Sequence, residues 1–156
     1  MPHIHEKIDF TVEVFIVSGD KVLLRKHDKY KIWLSVGGHI ELDEDPNQAA
    51  IREVKEEVGL DIDLFGDFKS FNNKNRPDYK ELLPPYFMNR HRINESHEHV
   101  TMTYLAKSTT DQVTQSVERE KSDECRWFTL RDLSELPDIL DSVRHYAITA
   151  LKVISK

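Results

Sequence analysis

Residues 45–59, DPNQAAIREVKEEVG, carry the signals for both ends of a helix. Asp45 can cap the N-terminus, Pro46 suits the first turn, and Gln48 completes a capping-box pattern. Gly59 stands where helices commonly stop on glycine. At about 100° per residue from Glu53, residues Ala50, Ile51, Val54 and Val58 fall on one side as an apolar stripe that must face a core. Glu53, Glu56 and Glu57 fall together on another side, spaced i, i+3, i+4.

That acid triplet is costly by itself. Like charges at i, i+4 cost roughly 0.2–0.5 kcal/mol per pair. The last turns of a helix also disfavour anions through the backbone dipole. Lys55 points away and Arg52 lies at the edge of the stripe, so some other cation is expected to neutralise the triplet. Clustered carboxylates suit a hard divalent ion such as Mg²⁺ or Mn²⁺. The plain alternative is a solvated acidic face, and three glutamates taken alone favour it.

The surrounding residues reverse that balance. Gly38, five residues, Glu44, seven residues, then Arg52-Glu53-Val54-x-Glu56-Glu57-x-Gly59-Leu60 set nine positions over 23 residues. The stretch resembles the signature of the Nudix hydrolase family at every defining position. The resemblance implies metal-dependent hydrolysis of a diphosphate linkage in a nucleoside diphosphate derivative. A nucleoside triphosphate, a nucleotide sugar, ADP-ribose or a dinucleoside polyphosphate would qualify. It also implies Mg²⁺ or Mn²⁺ held by Glu53, Glu56, Glu57 and the backbone carbonyl of Gly37. Arg52 and Glu44 read as a pair that orients the acid cluster, against the plain reading of a surface salt bridge worth little. The general base is expected to be Glu53 or Glu57, or a loop residue among Glu95, Glu98, Glu118 and Glu120. Glu98 is favoured as the extra ligand or base because it precedes a strand that can run past the site; a solvated turn glutamate weighs equally. Two positions depart from family habit. Val36 stands where many members have proline and Asp43 where many have glycine, which leaves the loop shape open.

The rest of the chain must build a fold that presents this helix. At 156 residues it is read as a single domain, 1–156. Residues 7–17 and 21–27 read as a β-hairpin about Ser18-Gly19-Asp20, and 32–36 as a short strand entering Gly37-Gly38. Residues 60–72 read as one or two short strands and 73–85 as a loop. Strands 86–93 and 99–107 pair antiparallel around Asn94-Glu95-Ser96. Residues 108–122 read as a mobile loop, 125–129 as a strand and 130–136 as a short helix. A longer amphipathic helix starts at Pro137 and runs to Ile154. This order implies an α+β fold, a mixed β-sheet between helices, resembling the Nudix α/β/α sandwich.

Composition excludes some partners. The net charge of −6 argues against non-specific binding to nucleic acid or anionic membranes. Cys125 is the one cysteine, so no internal disulfide forms and a reducing cytoplasm is the simple inference. MPHIHEKIDF lacks the basic and apolar regions of a signal peptide, and no apolar run approaches the roughly 18 residues of a membrane span. The expected partner is therefore a small nucleotide-derived diphosphate. A homodimer through the terminal helix stays open.

Outside the motif, Arg25, Lys26, Arg90 and Arg92 are basic residues on expected strands and can meet phosphates. Trp33, Tyr86 and Phe87 can stack on a base, although packing is the favoured role for each. His97 and His99, with His91, raise the question of zinc, because His-x-His on a strand puts both rings on one face. A closed zinc site needs three or four ligands, and Cys125 is not at a supporting spacing, so packing or a phosphate contact is preferred. His3 and His5 repeat the pattern near the start of the chain. Two readings compete with a hydrolase. A non-catalytic nucleotide-binding or regulatory module on the same fold would be expected to show a damaged acid cluster, which this chain does not. An isoprenoid diphosphate isomerase would need a catalytic cysteine, and Cys125 sits in no matching motif.

Overall fold

The computed structural model describes residues 4–67, 76–115 and 124–155. Glu118, Glu120 and His3 lie outside them. Strand β1 (Ile8–Ser18), rich in β-branched residues, is the axis of an eight-stranded mixed sheet. Along one edge it runs parallel to β7 (Glu98–Lys107), in register from Ile8↔Glu98 to Val17↔Lys107. Its other edge is shared. β4 (Val36–His39) pairs antiparallel with Thr11–Val14, and β2 (Lys21–Lys26) with Val17 and Ser18. The sheet extends through β3 (Trp33–Leu34) and β8 (Glu124–Phe128) beside β2, and through β5 (Asp63–Phe65) and β6 (Phe87–Arg92) beside β7.

Alternation along β1 sends successive side chains to two cores. Val12, Val14 and Ile16 pack with Tyr104 and Ala106 beneath helix α1 (Pro46–Val58), through Ala49, Ala50, Val54 and Val58. Phe15, Val17 and Leu105 pack on the opposite face beneath α2 (Leu130–Glu135) and α3 (Asp141–Ile154), through Leu133, Val143, Ala147, Ala150 and Leu151. The helix–sheet–helix layering expected from the sequence is thus present. Among the described residues no helix is long and apolar enough to cross a membrane.

Two local expectations need correction. Ile51 is 47% exposed and Ala49 is buried instead. The buried arc of α1 runs from Ala49 through Glu53 to Val58, which leaves Ile51 just beyond its edge. The terminal helix begins at Asp141 rather than Pro137. Asp138 adopts a left-handed φ of 60° and its carbonyl accepts the Trp33 N–H at 3.0 Å, so the chain first runs beside β3. Of residues 60–72, only Asp63–Phe65 form a strand among the described residues. Residues 108–115 form neither helix nor strand.

Candidate active site

Helix α1 is held at both ends as its sequence requires. Asp45 Oδ1 accepts the Gln48 N–H at 2.8 Å, and Gln48 Oε1 accepts the Asp45 N–H at 2.9 Å. Gly59 closes the helix at φ 70°, its N–H donating to the Lys55 carbonyl. The acids lie closer to the sheet than the sequence indicated. Glu53 is fully buried, and the Glu57 side chain is 8% exposed.

Arg52 organises the cluster. Its Nε and Nη2 donate to the two Glu44 carboxylate oxygens at 2.9 and 2.6 Å, a bidentate pair. Its Nη1 donates to Glu53 Oε1 at 2.9 Å and to Glu56 Oε2 at 3.2 Å, and Nη2 also reaches the His39 carbonyl at 3.0 Å. One guanidinium therefore joins two helix acids, the preceding loop and the end of β4. The bond to Glu44 is the main reason the Arg52 pKa rises above its ordinary value. In return, Arg52 holds the Glu44 carboxyl below the usual range, helped by the Glu41 N–H. Arg25 on β2 stands 3.4 Å from Glu57 Oε2. The long side chain of Arg52 thus reaches Glu53 and Glu56 as well as Glu44, while Arg25 reaches Glu57.

The paired glycines have separate steric reasons. A Cβ on Gly38 would stand 2.4 Å from Glu53 Oε1. A Cβ on Gly37 would stand 2.1 Å from the backbone oxygen of Val12 on β1. Gly38 thus leaves room for a buried carboxylate, and Gly37 lets β4 lie against β1.

Other candidates are placed differently. Glu98 opens β7, and Arg90 donates to both of its oxygens at 2.8 and 2.9 Å. That pair holds the Glu98 carboxyl below the usual range. Arg92 pairs with Glu98 in the β6–β7 register, and both arginines line an open depression with Lys7, Glu95 and Glu98. Trp33 is 4% exposed and packs edge-on against Phe128 at 4.9 Å between ring centres. Phe87 stacks on Tyr146 at 4.4 Å. Both rings are thereby engaged in packing.

The sequence reading missed the polar side of β1. Asp9, Thr11 and Glu13 alternate with the apolar residues that face α1, and so lie on the other face. Glu13 accepts from Ser35 at 2.8 Å and from Thr103 at 2.6 Å. Thr11 and Thr101 share a hydroxyl bond at 2.7 Å. Beyond them Asp9 meets a group of histidines. His39 Nε2 stands 3.2 Å and His97 Nε2 3.4 Å from Asp9 Oδ2. The signal was available as an alternation of polar residues within an otherwise apolar strand.

Comparison with known proteins agrees with this architecture. A sequence model of the NUDIX domain matches residues 8–150. A hydrolase of the NUDIX family from Clostridium perfringens superposes with a TM-score of 0.79 at 32% identity, covering 94% of this chain and 97% of that one. A MutT NUDIX hydrolase from Burkholderia pseudomallei superposes at 0.62 with 23% identity, covering 96% and 99%, and at that identity supports the fold alone. No curated protein matched the chain in sequence.

Proposed function

The chain belongs to the Nudix family of hydrolases, and from that premise we propose that it cleaves the diphosphate linkage of a small nucleotide derivative with Mg²⁺ or Mn²⁺ held at α1. The observation that carries this reading is the arrangement of Glu53, Glu56 and Glu57 around Arg52 and Arg25. The donor set fits a hard ion. It consists of three carboxylates spaced i, i+3, i+4 and the Gly37 carbonyl, all of them oxygen ligands. When bound, the ion supplies positive charge against the diphosphate oxygens and activates the attacking water.

The protein's own residues do the positioning. Arg52 fixes Glu53 and Glu56 by directed bonds and is itself anchored on Glu44, so the acids meet an incoming ion in a set geometry. Gly38 lets the Glu53 carboxylate sit against the sheet. Arg25 is placed to meet a phosphate that approaches Glu57. Glu53 and Glu57 divide the roles of ligand and base. The loss of a ligand raises the metal concentration needed, whereas the loss of a base lowers kcat at saturating metal. The whole chain works as one domain on a soluble small-molecule substrate.

The test is a panel of nucleoside triphosphates, nucleotide sugars, ADP-ribose and dinucleoside polyphosphates, assayed with Mg²⁺ and Mn²⁺ and with product identification. One class is expected to turn over, with activity lost on chelation and in Glu57→Gln. Hydrolysis undiminished by that substitution would overturn the metal role. An inert panel with both ions would favour a nucleotide-binding module instead.

A further inference from the structure

We propose that Asp9, His39 and His99 form a second metal site, suited to Zn²⁺, on the sheet face turned away from α1. Three adjacent strands bring these side chains together, with His97, the residue before β7, beside Asp9. In the sheet register Asp9 pairs with His99 and Thr11 with His39, so β4, β1 and β7 present them side by side. Gly38 faces Glu53, and the next residue, His39, therefore faces the other way.

The spacing is that of a coordination shell. Ligand atoms of Asp9, His39 and His99 all lie within 4.8 Å of one another. Zinc ligands at about 2.0–2.2 Å from the ion stand about 3.3–3.6 Å apart at the corners of a tetrahedron. The His39–Asp9 separation of 3.2 Å is close to such an edge, and His97 stands 3.4 Å from the same Asp9 oxygen. The rings of His39 and His97 lie edge-on to His99 at 5.0 and 5.2 Å.

The surroundings orient these groups as a metal site requires. His97 Nδ1 lies 3.1 Å from the Glu6 carbonyl, which directs Nε2 toward Asp9. Asp9 is buried and held by the His5 and Ile4 N–H groups. His91 sits farther out and is bonded to Asn89 at 2.7 Å. Two imidazoles and one carboxylate favour zinc over magnesium, which prefers oxygen alone. Three protein ligands leave a fourth position for water, and the ion ties β1 to β4 and β7. His39 links this site to the first: its ring faces Asp9 and its carbonyl accepts from Arg52.

The experiment uses the full chain, stripped with a chelator and titrated with Co²⁺ and then Zn²⁺. The expected result is an intense visible absorption of tetrahedral Co²⁺, displaced by a single equivalent of Zn²⁺. His99→Gln and His39→Gln should weaken Co²⁺ binding by at least about tenfold, while Glu57→Gln leaves the band intact. Circular dichroism identifies any variant that fails to fold, and Asp9→Asn then replaces it. The proposal is overturned if no tetrahedral band forms, if the histidine variants keep it, or if Glu57→Gln abolishes it. Failure of the diphosphatase reading is separate, because it would appear as absent Mg²⁺-dependent turnover with the Co²⁺ band in place.

Discussion

The carboxylate of Glu53 rests on the α-carbon of Gly38, where an added methyl would stand 2.4 Å from Oε1. The helix acid and the β4 glycine therefore form one steric unit. Gly38→Ala pushes Glu53 out of line while leaving the β1–β4 pairing intact. Activity should fall by about 10²-fold, as a displacement of around 1 Å can cause, with the fold retained. Gly37→Ala should behave differently, because its methyl meets the β1 backbone at 2.1 Å. Strain of that kind costs about 1–3 kcal/mol or more and should lower the melting temperature. Kinetics and thermal melts on the two variants check the contrast. Equal effects of the two on stability would contradict it.

The Glu44–Arg52 pair makes stability depend on acidity. Arg52 depresses the Glu44 pKa in the folded state. A depressed carboxyl pKa stabilises the fold at pH values above the unfolded-state value, and this contribution is lost as pH falls through the folded value. The loss should therefore begin near the ordinary glutamate value of 4.5 and continue below it. Glu44→Gln should remove that part of the acid limb in melts recorded from neutral pH downward. Arg52→Lys keeps the charge but loses the fork that spans Glu44, Glu53 and Glu56, and should lower activity by roughly 10- to 100-fold. A lysine variant with full activity would show that charge alone suffices.

Much of this site can be read locally in the sequence. The caps of α1, its glycine stop and the spacing of its acids depend on neighbours within a few residues, and each appears in the structure as its chemistry demands. What the sequence hid depends on distant partners. Packing is the favoured role of Trp33 in the sequence, but its partner Phe128 lies nearly a hundred residues on. The late start of α3 follows from the bond between Asp138 and Trp33. His97 and His99 lacked further ligands until the strand register set Asp9 and His39 beside them. Helical geometry puts Arg52 at the edge of the stripe, because it locates a Cβ; the bonds to Glu53 and Glu56 come from the end of a long guanidinium side chain.

Arg25 stands 3.4 Å from Glu57 Oε2, and its role can be divided between substrate and acid cluster. If it meets a phosphate, Arg25→Gln should raise KM roughly tenfold or more, the worth of one charge-assisted hydrogen bond, with kcat little changed. If it serves only to balance Glu57, its removal should tighten Mg²⁺ binding and leave KM alone. Titrations of substrate and metal on the same variant separate the two. We expect the rise in KM.

Glu98 and the α1 acids have opposite prospects as a general base. The favoured external candidate is clasped by Arg90 through both oxygens, and its pKa is lowered by that contact, which makes it a weaker proton acceptor. Glu98→Gln should therefore keep kcat within about twofold, whereas removing a true general base costs about 10²–10⁴-fold. The same substitution in Glu53 and Glu57, assayed at saturating metal, should show the large loss in one of them and a raised metal requirement in the other. The pH profile adds an independent readout. The acidic limb of kcat belongs to the base and should vanish only in the variant that lacks it. A fall of 10²-fold or more in kcat for Glu98→Gln, with the acidic limb gone, would move the base from α1 to the start of β7.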